Sequence, residues 1–103
     1  MICIESDEQF ADLVNNSGFV VVDFFANWCG PCKVLTPKLE ELSLKYKNVV
    51  FVKVDVDDFE EIARLHKIEA MPTLHFYKSG VMLETKVIGG KLNEIEKVIT
   101  ENL

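Results

Sequence analysis

The chain has 103 residues, 49% of them hydrophobic, and its 17 Asp and Glu against 11 Lys and Arg leave a net charge of −6. That length suits one domain, residues 1–103, with a single real core. An acidic chain without a Lys/Arg cluster argues against nucleic acid or an anionic membrane surface as partner. Met1-Ile2-Cys3-Ile4-Glu5 has no basic segment followed by a long apolar one, so nothing in it signals secretion. Three cysteines are too few, and odd in number, for a disulfide framework. A CxxC pair in an unexported chain points to catalysis or metal binding in a reducing cytosol.

Strand and helix patterns alternate along the chain without linker or repeat. Residues 1–4 read as a short strand in which Cys3 is a small buried hydrophobe. Ser6 with Gln9 resembles a capping box for a helix over 7–16, with Phe10, Leu13 and Val14 inward and Gly18 beyond its end. Phe19 to Ala26 is too unbroken for a one-sided strand and far shorter than the ~20 residues of a membrane span. Val34, Leu35, Leu39, Leu42 and Tyr46 then step at helical spacing, predicting a helix over 32–46 that Pro37 should kink. A strand over 49–54 follows, then a short helix capped by Asp58 with Glu61 and carrying Phe59, Ile62 and Ala63. Strands 73–77 and 81–88 are joined by Lys78-Ser79-Gly80, short enough for an antiparallel hairpin. A last helix, 92–102, should bury Leu92, Ile95 and Ile99. The pattern predicts an α/β sandwich with a mixed central sheet, whose sites lie at the carboxyl ends of the strands.

Cys29-Gly30-Pro31-Cys32 falls where the buried strand hands over to the helix N-terminus. Exposed N–H groups and the helix dipole stabilise an anion there, and the thiolate is the reactive form of cysteine. Thiol–disulfide exchange is the expected chemistry, with Cys29 the exposed attacking thiolate and Cys32, one turn deeper, resolving the mixed disulfide. A structural zinc site needs four ligands, and only Cys3, His66 and His75 remain, without paired spacing. His66 reads as a helix-surface residue and His75 as part of a strand. Asp55, Asp57, Asp58, Glu60 and Glu61 read as solvated surface plus capping. Asp23 is costly to bury as an ion, yet its apolar flanks argue against a solvated edge. Lys53 alone would be an ordinary snorkelling lysine, and Trp28 and Met71 could each be core or contact surface.

The stretch Val22-Asp23-Phe24-Phe25-Ala26-Asn27-Trp28-Cys29-Gly30-Pro31-Cys32-Lys33 resembles the active-site signature of thioredoxins. Pro37, Lys53-Val54-Asp55-Val56-Asp57, Met71-Pro72-Thr73, Ser79-Gly80 and Gly89-Gly90 match in family order, so the resemblance covers essentially the whole chain. It implies the thioredoxin fold, a three-layer α/β/α sandwich around a mixed five-stranded sheet. It further implies a cytoplasmic, monomeric protein-disulfide reductase working through a reversible Cys29–Cys32 disulfide. No bound cofactor or metal is expected, and an NADPH-dependent thioredoxin reductase should recycle it. Substrates of peroxiredoxin or ribonucleotide reductase type fit that picture. By the same resemblance Asp23 is the general acid/base for Cys32, Lys53 is its neighbouring lysine, and Met71–Pro72 is a cis peptide facing the thiols. Trp28, Gly30, Pro31, Ala70, Met71, Pro72 and Gly89, with Gly90, form the implied surface for an extended substrate peptide. Ala70-Met71 departs from the Gly or Ser plus β-branched residue found in many members, which bears on substrate preference. Gly30-Pro31 argues against a disulfide isomerase or oxidase domain, while a binding-subunit role stays open.

Overall fold

The structure is a computed structural model and describes residues 1–16 and 18–103. Strand β2 (Phe19–Phe25) is apolar on both sides, which suits a strand with neighbours along each edge and cover on each face. It runs parallel to β3 (Val49–Asp55), from the Phe19–Val49 pair to the Phe25–Asp55 pair. On its other edge it is antiparallel to β4 (Thr73–Lys78). Alternation divides the side chains between two cores. Phe19, Val21, Phe51, Leu74 and Phe76 pack under Leu35 and Leu39 of α2 (Gly30–Lys45) and Ile95 and Ile99 of α4 (Leu92–Glu101). Val20, Val22, Phe24, Val52 and Val54 face Phe10 and Val14 of α1 (Asp7–Val14) and Ile62 of α3 (Glu60–Leu65). Each such side chain contributes about 1.5–3 kcal/mol when fully buried. The three-layer α/β/α sandwich is the expected one.

Ser6 caps α1 by accepting from the Gln9 N–H at 3.1 Å, but the Gln9 side chain reaches the Glu5 N–H rather than that of Ser6. The hairpin turn is Ser79-Gly80, with φ values of 53° and 80°. Two successive left-handed residues match the twist of the flanking strands and bring Lys78 opposite Val81.

Several details correct the sequence reading. Strand 81–88 is broken into β5 (Val81–Met82) and β6 (Val87–Ile88), both beside β4; with β1 (Ile2–Cys3) at the far edge, five tracks hold six strands in the order β1-β3-β2-β4 and then β5 with β6. The break falls at Glu84, Thr85 and Lys86, exposed polar residues with nothing to bury. Cys3 is exposed, because β1 (Ile2–Cys3) is the outer strand and Ile4 takes the core position. Val34 is exposed, since α2 turns Leu35, Leu39 and Leu42 inward. Asp58 does not cap α3; Phe59 occupies the N-cap without a side-chain bond, and its N–H donates to the Asp55 carbonyl. His66 is not a surface residue. Its ring sits against Phe10 and Phe24, with Nδ1 2.8 Å from the Ile62 carbonyl oxygen and Nε2 3.0 Å from the Tyr77 hydroxyl. A carbonyl only accepts, so Nδ1 carries a proton, and when the ring is neutral the Tyr77 hydroxyl donates to Nε2.

Candidate active site

Helix α2 begins at Gly30, earlier than periodicity suggested, because Cys29 itself is the N-cap. Its Sγ accepts from the Cys32 N–H at 3.2 Å, the place an oxygen usually fills. Pro31, in the first turn, lacks an N–H that would have no helical partner there. Cys29 and Cys32 form a disulfide with Cα atoms 5.3 Å apart, within the ordinary range for such a bridge. Cys29 was expected to be exposed, yet it is only 5% accessible, against 1% for Cys32. Ala26, Phe25, Val56 and Met71 pack around the pair and leave one edge of Cys29 open.

Three loops meet at that edge. The Met71 carbonyl oxygen lies 3.5 Å from Cys29 Sγ, and the Met71–Pro72 peptide is cis, as the family resemblance implied. The Pro72 carbonyl accepts from the Gly89 N–H at 2.8 Å, where Gly89 holds a φ of +94° that side chains disfavour. A Cβ built on Gly90 would stand 4.0 Å from the Pro31 carbonyl oxygen, so this loop lies over the start of α2. Gly30, Pro31 and Ala70 are exposed, Met71 and Gly89 half-buried, and Trp28 is 68% accessible. Trp28 is therefore not a core residue.

Asp23 is buried at 1% accessibility, and neither carboxylate oxygen has a hydrogen-bond partner among the described residues. Burial pushes its pKa from 3.8 up to about 7, opposed by the positive charge of Lys53. Lys53 stands directly across from Asp23 in the β2–β3 register, its Nζ 5.3 Å from the centre of the Phe25 ring. A cleft of about 270 Å³ is lined by Lys53, Cys32, Asn27 and Thr36 among others. Among the described residues, no group of three or more His, Cys, Asp or Glu could hold a metal ion.

The family model described as Thioredoxin matches residues 1–101. The chain belongs to the thioredoxin family. It is 52% identical over 86 residues to thioredoxin Asp f 28 of Aspergillus fumigatus, covering 84% of this chain and 80% of that protein. Fasciola hepatica thioredoxin superposes with a TM-score of 0.93 at 36% identity, each chain covered completely. A chain from a study of thiol resolution in yeast mitochondrial 1-Cys peroxiredoxin via the glutathione and thioredoxin systems gives 0.91 at 36%, with 98% and 94% covered. Like other thioredoxins, the protein is a dithiol–disulfide oxidoreductase with protein-disulfide reductase activity. Cys29–Cys32 is its redox-active disulfide, and disulfide-bearing proteins are its substrates.

Two residues beside this thioredoxin site escaped the sequence reading. Asp55, read as solvated, is only 6% accessible. Its Oδ2 accepts from Asn27 Nδ2 at 3.1 Å and its Oδ1 from the Asp57 N–H at 2.9 Å. Asp57 in turn accepts from the Trp28 indole N–H at 2.9 Å. The run Val54-Asp55-Val56-Asp57 reads as alternation with both acids outward. The signal available was the Asn27-Trp28 pair, two side-chain donors needing acceptors near the end of β3.

Proposed function

We propose that residues 1–103 act as one monomeric domain that reduces protein disulfides in the cytoplasm, binds no cofactor, and is recycled as an electron carrier by an NADPH-dependent thioredoxin reductase. A reducing compartment suits an exposed unpaired Cys3. No helix among the described residues is long and apolar enough to cross a membrane. Peroxiredoxins are one fitting substrate class, given the neighbour from the peroxiredoxin study, and ribonucleotide reductase another by family resemblance.

The Cys29 thiolate attacks one sulfur of the substrate disulfide, and the other sulfur leaves as a thiolate that takes a proton. The Cys32 thiolate then attacks Cys29 Sγ, forming Cys29–Cys32 and releasing the second substrate thiolate. Two electrons pass to the substrate. The observation that carries this order is the N-cap geometry, since the Cys32 N–H that meets Cys29 Sγ stabilises negative charge there. Burial raises the Asp23 pKa to about 7, so near neutral pH about half of it is ionised; that carboxylate takes the proton from Cys32 as it becomes the second nucleophile, and Lys53 biases the carboxyl toward ionisation. An extended substrate strand lies on Trp28, Gly30, Pro31, Ala70, Met71 and Gly89, above Pro72, which is buried beneath that surface, and pairs with the Met71 backbone.

In the reduced protein, iodoacetamide near neutral pH should alkylate Cys29 before Cys32. Cys29→Ser should abolish insulin reduction, and Cys32→Ser should stall as a mixed disulfide through Cys29. Faster alkylation of Cys32, or trapping through Cys32, overturns the assignment.

A further inference from the structure

Trp28 presents an unusual combination, 68% accessible and still tethered by its indole N–H to Asp57. The tether is only as fixed as Asp57, and Asp57 is fixed by Asp55. One oxygen of the Asp55 carboxylate takes the Asp57 backbone N–H; the other takes the side chain of Asn27, the residue immediately before Trp28. Both the acceptor of the indole and the backbone leading into it are thus referenced to one buried carboxylate. That carboxylate is itself well anchored. Asp55 closes the β2–β3 ladder opposite Phe25, the Phe25 carbonyl accepts from the Val56 N–H at 2.9 Å, and the Asp55 carbonyl accepts from the Phe59 N–H. Further along, the Cys29 N–H donates to the Ala26 carbonyl at 3.1 Å.

We infer that Asp55 is a positioning residue for reduction of protein disulfides: through Asn27 and Asp57 it holds the Trp28 ring in one orientation against the substrate chain. The inference rests on the reading of Trp28 as part of the substrate surface. An exposed indole free to rotate would be ordered only on binding, and that entropy would be subtracted from affinity. A pre-ordered ring lowers KM without touching the sulfur chemistry. The effect is selective by size: a small disulfide or alkylating reagent, which has no chain to lay on the indole, should not register it.

Asn27→Ala is the decisive variant, since Asn27 is exposed and neutral and its loss leaves every charge in place. Reduction of insulin should show a KM raised about fivefold, the size of one lost hydrogen bond, with kcat and the rate of Cys29 alkylation within twofold. Trp28 is the only tryptophan, so its fluorescence anisotropy should fall in the same variant. Asp55→Ala should act alike and more strongly. Asp55→Asn should recover most of the KM, because its amide can donate to a flipped Asn27 while its oxygen keeps the Asp57 N–H. In a Trp28→Ala background, Asn27→Ala should add nothing, as expected if it works through the ring. A fivefold KM effect that persists without Trp28 overturns the inference. So does a KM response to Trp28→Ala with none to Asn27→Ala, which leaves the substrate-surface reading standing. No response to Trp28→Ala itself overturns both.

Discussion

Asp23→Asn removes the one ionisable group in the middle of β2 while keeping its volume and polarity, so no cavity forms. In the folded protein the Asp23 carboxyl loses its proton near pH 7, whereas in the unfolded chain it does so at its ordinary value of 3.8. Between those values the unfolded state has released the proton and the native state still holds it. Unfolding therefore releases a proton there, and stability falls as pH rises. At about 1.36 kcal/mol per pH unit, the interval from 3.8 to about 7 is worth roughly 4 kcal/mol, nearly all lost by neutrality. His75 pushes the other way over part of the same range, its pKa held down at about 4 by burial first and then by His66 and Lys86. Wild-type stability alone would blur the two, and the difference between wild type and variant isolates Asp23. Urea denaturation of the disulfide form keeps both thiols from titrating. The midpoints should nearly coincide at pH 4. At pH 8 the variant should unfold at about 3 M higher urea, taking a slope of about 1.5 kcal/mol/M. A midpoint difference independent of pH, or a variant less stable at pH 8, would refute the reasoning.

Lys53→Met should raise the Asp23 titration point above about 7, because the ammonium opposes the effect of burial; carboxyl-carbon NMR titration reads this directly, and a downward move would contradict the pairing. His75→Leu should change stability by an amount independent of pH above pH 6.5, where the wild-type imidazole is neutral in both states. As pH falls from 6.5 toward 4 the unfolded imidazole charges and the buried one does not, so wild type loses stability that the leucine variant keeps; urea midpoints at pH 7.5 and 4.5 should diverge in that sense, and parallel behaviour would refute it.

Legibility in the sequence followed the length over which a pattern repeats. Strand β2 and helix α2 carry long unmixed signals, and the Cys29 position followed from their junction. The hairpin at Lys78-Ser79-Gly80 was readable because so short a connection between two strands leaves few alternatives to an antiparallel pair. Cys3 was misplaced because a two-residue edge strand has no periodicity to tell core from rim. Asp55 was misread for a related reason. Alternation assumes the strand continues, and β3 ends at Asp55, where the chain turns and tucks that side chain under the Asn27 loop. The expected burial of Asp23 was legible from its apolar neighbours. Its suggested proton role and the cis Met71–Pro72 peptide came only through the family resemblance, since residue statistics alone favour trans.

The disulfide closes within a single helical turn, whereas the surface beside it is gathered from residues 28–31, 70–72 and 89–90, which only the finished sheet brings together. The attacking thiol is thus set by a local stretch of chain, whereas discrimination is a global property. A molecule whose β4 and β6 have come off the sheet keeps the N-cap turn that carries Cys29 but loses the means of choosing where to use it. Retained ordering of the edge beyond β4 is accordingly a condition of fidelity rather than of chemistry, and loosening there would reveal itself first as promiscuity.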